Sequence, residues 1–326
     1  DQGMLTGLYY DFNQEPANRN TPVDLQAQRE RLLWYTDVVR VSLAGNLRDY
    51  SFRDFRGDQI RGGDLYFHDS PAAYAASPQE TINYVSAHDG YTLWDALQAK
   101  LPFFTPGREP AVASLEERID RQHIAVAMVA LSQGIAFFDA GIELLRSKSG
   151  DPNSFDSGDW FNHLDYTFTT NNWGVGLPPD WTSRSDWNFW QPRLSQPSMR
   201  VKPAHIVAMK DYFLSLLRVR KSSRLFHLQK RVNFLNADLG ALQVPGLIVM
   251  DLRDDFANEA PLDLAHKRIV VCFNVNNSEI VFSHDSLRNQ NLQPYPGFSN
   301  GGQFRVGPGS VHIAARSVAI FQVPRD

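Results

Sequence analysis

Two short runs of β-forming residues with helical sequence between them constrain the fold of this chain more than any other feature. The first run holds Ile82, Tyr84 and Val85 in INYVSAHDGYTLWDAL; it leads to His88 and Asp89 and turns on Gly90. β-Branched and aromatic residues bounded by turn formers read as a strand, and glycine tolerates the sharp turn that follows. Thr92 stands three residues before Asp95, a spacing that suits a helix N-terminus. A longer helix is predicted over 115–132, with Ile119, Ile124, Val126, Val129 and Leu131 among its apolar positions; Gln133-Gly134 closes it, and 135–138 forms the second strand. The order strand, helix, strand points to parallel pairing, because a parallel neighbour is reached only by a crossover. In open α/β sheets and in barrels, ligands bind at the C-terminal ends of such strands. His88 and Asp89 sit there, and Glu143, Arg146 and Lys148 fall just past the second strand. An ordinary turn, with Asp as a cap and His on the surface, accounts for the first pair equally well.

Upstream, Thr21, Pro22 and Asp24 resemble a helix start. Leu32, Thr36, Val39, Leu43 and Leu47 continue it at helical spacing, although Val39, Val41 and Leu43 also alternate as a strand would. Residues 49–78 and 149–203 are polar and rich in turn formers, and both read as long loops of the kind that carry function. A helix is predicted over 204–221. After residue 225 the texture changes to short apolar runs, VNFL, GLIVMDL, KRIVVCFNV, QFRV and SVAIFQV, which predict an antiparallel β-sandwich. The expected class is therefore α/β plus all-β, divided into residues 1–224 and 225–326.

Bulk properties narrow the chemistry. A net charge of −4 over 326 residues argues against a nucleic-acid or anionic-membrane partner. No apolar run reaches the roughly 18 residues of a membrane span. Cys272 is the single cysteine, so an internal disulfide is excluded. The nine histidines show no paired metal spacing, and there is no dinucleotide, phosphate-loop or G-x-S-x-G motif. No cofactor is expected, and no residue pattern indicates a structural calcium. Several of the seven tryptophans lie in polar, Gly/Pro-rich segments, as residues of binding surfaces do and as buried loop anchors also do. The first residues, DQGMLTGLYYDF, carry no targeting signal, which leaves the compartment open between cytoplasm and plastid.

INYVSAHDGYTLWDAL resembles the last conserved stretch of the α-amylase superfamily, on the seventh strand of its barrel. GIAFFDAGIELLRSKSGDPNSFDSGDWFNHLDYTF is similar to the eighth strand and following loop of one branch, the pullulanases and limit dextrinases. NNWGVGLPP, LLRVRKSSRLFHL, VSLAGNLRDYSF and SPAAYAASPQETINYVSAHD extend the likeness over most of the chain, least distinctively after residue 225.

The resemblance implies the C-terminal part of a (β/α)8 barrel, strands seven and eight, followed by the sandwich. It implies retaining hydrolysis of α-1,6 linkages in pullulan, limit dextrins or branched maltooligosaccharides, with two carboxylates about 5 Å apart across the bond. Asp89 corresponds to a third carboxylate that holds the sugar and stabilises the transition state, and His88 would donate a hydrogen bond to the same sugar. Arg146, Asp156, Trp160 and Asn162 correspond to substrate contacts. Turn and cap chemistry is the other account of Asp156, Asp159 and Asp165.

One departure from the family is large. The motifs around its nucleophilic Asp and acid Glu, of the type F-R-F-D and G-E-G-W, occur nowhere in the chain. By the alignment they precede residue 1. Glu143 is the best-placed substitute, with a buried ion pair to Arg146 as its plainer role. The expected partners are an α-glucan and the missing N-terminal part of the same enzyme. Two strands cannot close a barrel, so an exposed apolar patch is expected, and the absent nucleophile and acid motifs imply an inactive isolated chain. A non-catalytic α-glucan-binding module, or a structural fragment, is the alternative.

Overall fold

The computed structural model describes residues 3–6, 24–103, 113–228, 232–254, 260–298 and 305–325. Helix α1 spans Leu25–Leu43, and its N-cap is Asp24, whose carboxylate accepts the Ala27 N–H at 2.7 Å. Thr21 and Pro22 lie outside the described residues. The strand alternative at 39–43 loses, because Val41 and Leu43 are buried on the helix. The stretch 49–78 is not one loop. It folds into two small hairpins, β1 (Ser51–Arg53) with β2 (Gln59–Arg61), and β3 (Tyr66–Phe67) with β4 (Ser70–Pro71). Their strands are too short to print a periodicity on the sequence.

Strand β5 (Ile82–Asn83) pairs in parallel with β6 (Ile135–Ala136), in the register Ile82↔Ile135 and Asn83↔Ala136. The expected runs 82–85 and 135–138 are shortened to two residues each, since among the described residues each strand has one neighbour and the ladder lapses beyond it. Between them run α2 (Leu93–Lys100) and α3 (Leu115–Leu131). Thr92 caps α2 as its spacing predicts, accepting the Asp95 N–H at 3.1 Å. Ser114 and Glu117 form a reciprocal capping box on α3. Gly134 ends α3 at φ +89°, and a Cβ there would stand 2.7 Å from the Pro78 carbonyl oxygen, so only glycine fits.

The stretch 149–203, read as a loop, holds three short helices: α4 (Gly158–Asn162), α5 (Asp180–Ser183) and α6 (Trp187–Ser195). They bury single anchors such as Phe161 and Trp190 and so lack a long apolar stripe. Helix α7 (Pro203–Ser222) packs beside α3, and Arg220 donates to the carbonyls of Ala130, Ser132 and Gly134 at its C-terminal end.

The remaining strands are β7 (Val232–Phe234), β8 (Leu247–Arg253), β9 (His266–Asn274), β10 (Ile280–Ser283), β11 (Gln293–Pro294), β12 (Arg305–Gly307), β13 (Ser310–Ile313) and β14 (Ser317–Pro324). They form two antiparallel sheets, one of five strands in the order β11-β14-β9-β8-β7 and one of three in the order β10-β13-β12. Side chains alternate across a strand, and here both faces are covered. Ile248, Met250, Val271, Phe273, Val318 and Ile320 join the core built by α2, α3 and α7. Leu247, Val249, Val270, Cys272, Ala319 and Phe321 pack with Phe282, Val311 and Ile313 of the smaller sheet. Double burial explains why these strands read as continuous apolar runs. Each buried aliphatic or aromatic side chain contributes about 1.5–3 kcal/mol.

Candidate functional site

The expected exposure at the strand pair is found. Ile82, Tyr84, Val85, Ile135 and Phe137 are exposed although all belong to or follow β5 and β6. A groove of about 370 Å³ runs beside β5, lined by Val39, Leu43, Tyr74, Tyr84, Val85 and Met128 among others.

Beyond Asn83 the backbone passes through His88 and Asp89 before Gly90 turns it at φ +72° into α2. The two side chains reach into solvent, 87% and 91% exposed, with His88 Nε2 3.5 Å from Asp89 Oδ2. They are presented rather than packed. What is packed lies beneath them. Lys148 Nζ donates to the His88 carbonyl oxygen at 2.8 Å. Asp95, fully buried on α2, accepts Ser147 Oγ at 2.6 Å, the Lys148 N–H at 2.8 Å and the Gly150 N–H at 3.3 Å. Burial raises the Asp95 carboxyl to about 6 despite these donors. Burial, and then the Arg146 charge, lower the Lys148 ammonium.

Arg146 does not pair with Glu143. Its guanidinium lies 3.9 Å from Asp139 and donates to the carbonyls of Ala140 at 3.2 Å and Asn162 at 3.0 Å. Glu143 instead accepts the Gly141 N–H at 3.0 Å, capping its own turn. Gly141 and Leu145, both left-handed, flank that turn, which swings the Glu143 carboxylate back onto the backbone. Asn162 closes α4, its amide donating to the carbonyls of Ser154 and Gly158 and accepting Ser154 Oγ. Trp160 donates Nε1–H to the Val175 carbonyl at 3.1 Å and remains 64% exposed, leaving an indole surface open for stacking. Asp156 is exposed in the turn before α4. The structure thus links Arg146 to Asn162 directly, and joins His88 to the same loop through Lys148.

Asp95, Asp139 and Lys148 are the members sequence reasoning did not single out as site residues. The Thr-x-x-Asp spacing located Asp95 but explained only its backbone. Its side chain turns inward to a loop some fifty residues away, and such a long-range partner leaves no local spacing.

Polar and aromatic side chains gathered past the C-terminal ends of a parallel strand pair, with antiparallel sheets packed behind, mark an α/β protein with a β appendage and a candidate ligand site at the strand ends. Known proteins place it further. Residues 168–324 match the family model for alpha-1,6-glucosidases, pullulanase-type, C-terminal. The chain is 40% identical over 305 residues to pullulanase 1, chloroplastic, of Arabidopsis thaliana, covering 90% of this chain and 30% of that one. It is 35% identical over 301 residues to the pullulanase of Klebsiella pneumoniae, covering 89% of this chain and 26% of that one. The crystal structure of Klebsiella pneumoniae pullulanase complexed with maltotriose superposes with a TM-score of 0.87 at 33% identity, over 100% of this chain and 30% of that chain. The chain belongs to the pullulanase-type family and corresponds to a C-terminal portion, spanning about 30% of the length of such relatives.

Proposed function

We propose that this chain is the substrate-holding C-terminal portion of a debranching glycoside hydrolase that cleaves α-1,6-glucosidic bonds of pullulan or limit dextrins with retention. The uncovered β5–β6 pair carries this reading. Its apolar side chains lie open and, among the described residues, each strand has an unpaired edge, in a chain that spans about 30% of its relatives. In this reading, β5 and β6 are the seventh and eighth strands of a (β/α)8 barrel. The other six come from the N-terminal part of the same enzyme, which seats against the groove beside Tyr84 and Val85. Residues 225–326 form the β-sandwich behind it, sharing a core with the helices.

The nucleophile and the acid stand on that other part. Asp89 accepts hydrogen bonds from ring hydroxyls of the sugar at the cleavage point. Its negative charge also favours the positive charge that develops at the anomeric carbon. His88 donates to the same sugar. The exposed Trp160 face stacks on a neighbouring glucose, while Asp156 fixes its hydroxyls and Arg146 and Asn162 hold the loop that presents them. The purified 326-residue chain should release no reducing sugar from pullulan, whereas the enzyme that carries it with the remaining strands should. Measurable release by the chain alone overturns this division of labour.

A further inference from the structure

We propose that Lys148 is a positioning residue for the debranching reaction, acting through the backbone of His88 to set the placement of Asp89, and that buried Asp95 aims it. The inference rests on the functional reading above and adds to it how the presented pair is held.

His88 and Asp89 lie in a segment that leaves β5 at Asn83 and enters α2 at Thr92. Among the described residues, the one hydrogen bond from residues 85–90 to the rest of the chain is Lys148 Nζ to the His88 carbonyl. Ring contacts hold the two ends of the segment, Tyr84 on Phe137 and Tyr91 on Trp190. Between them, Gly90 is in a left-handed conformation with open space where a Cβ would lie, so packing does not fix the turn. A segment of this kind is placed by its single polar tether.

The tether itself is rigid. Lys148 is almost wholly buried, and its own N–H is bound by Asp95. Ser147 and Gly150 are bound to the same carboxylate. Ser149 Oγ, in turn, accepts the Gly174 and Val175 N–H groups. Leu145 and Ser149 sit at φ +55° and +53°, conformations that non-glycine residues keep only where surrounding bonds over-determine them. Asp95 therefore fixes a strained loop on the first turn of α2, and the loop fixes the ammonium under His88. Displacement of a contact group by about 1 Å can cost on the order of 100-fold in rate, which is the scale at which such a tether matters.

The test is a double-mutant cycle in the complete enzyme, with pullulan as substrate. Lys148→Met should lower kcat by about 10- to 100-fold and leave KM within a few-fold. Asp89→Asn should lower kcat on its own. In the Asp89→Asn background, Lys148→Met should cost little more, because the group it positions is already disabled. Full activity of Lys148→Met overturns the inference, and so does a loss that multiplies with Asp89→Asn, since that marks a structural role independent of the tip. If Asp89→Asn alone is silent, the functional reading fails and the inference falls with it. Should Lys148→Met not fold, Lys148→Gln replaces it in the cycle; its shorter amide should show a smaller loss of kcat that again vanishes beside Asp89→Asn, and an additive loss overturns the inference.

Discussion

Asp95→Ala is expected to destabilise the chain by about 3–5 kcal/mol, because each buried donor left without an acceptor costs about 1–3 kcal/mol. Three donors lose their acceptor at once: the Ser147 hydroxyl and the backbone N–H groups of Lys148 and Gly150. The hydroxyl can rotate to another partner, but the two amides cannot. The measurement is the thermal or denaturant midpoint of the chain, with a fall of about 4–7 °C expected for 326 residues. A change of a degree or two would show that the loop is held by something else.

Asp95→Asn separates the hydrogen bonds from the charge. The asparagine carbonyl can face the two backbone amides while its amino group faces Ser147, whose hydroxyl turns to accept. Burial raises the native carboxyl from 3.8 to about 6. A carboxyl raised on folding contributes stability that is complete below its unfolded pKa and is lost as pH rises through the folded one. As pH rises from about 4 to about 7, Asp95 should therefore remove on the order of 2–3 kcal/mol of stability, while His123, lowered to about 4 by burial, works in the opposite direction in both proteins. Asp37 and Asp120, raised to about 6 by burial as well, add to the slope in both proteins. Asp95→Asn should flatten it by one group's share, and an unchanged slope rules out an ionising Asp95.

The second large effect is on rate. In the complete enzyme, Asp89→Asn should lower kcat on pullulan by about 100- to 1000-fold, the scale of removing one preorganised electrostatic contact to the transition state. The substitution keeps the shape of the side chain but removes the charge and turns one of its two acceptor oxygens into a donor. KM should move little, because ground-state sugar carries no matching positive charge. Stability should not move either, since the Asp89 side chain stands 91% exposed with only a 3.5 Å approach to His88. A kcat within tenfold of the parent value would exclude Asp89 from the role given to it.

Much of this architecture was written in local pattern. Thr92 and Asp95 announced α2, Gln133-Gly134 ended α3, and the strand–helix–strand order gave the parallel pairing of β5 with β6. The extended apolar runs after residue 225 gave the antiparallel strands. Elements of two to five residues left no such mark: the β1–β2 and β3–β4 hairpins and α4 depend on tertiary anchors rather than on repeats. At the site, residue types and motifs singled out His88, Asp89, Arg146 and Trp160. Partner choice was invisible, because Arg146 sits within reach of both Glu143 and Asp139 in sequence, and only the left-handed turn at Gly141 decides between them. Lys148 was noted past the strand without a role, since its acceptor is a backbone carbonyl sixty residues away.

The five-stranded sheet has a mechanical consequence. Its inner face shares one core with α2, α3 and α7. Arg316, just before β14, reaches Glu117 at 3.3 Å and Asp120 at 3.4 Å on α3, and Arg121 donates to the Val275 carbonyl at 3.2 Å. Gln133 receives the Leu228 N–H and donates to the Leu225 carbonyl, across the point where the sequence changes texture. That point is a seam in composition and not a hinge. Heating should therefore melt the helices and the sheets in a single calorimetric transition, and a chain cut near residue 225 should yield two insoluble pieces rather than two domains.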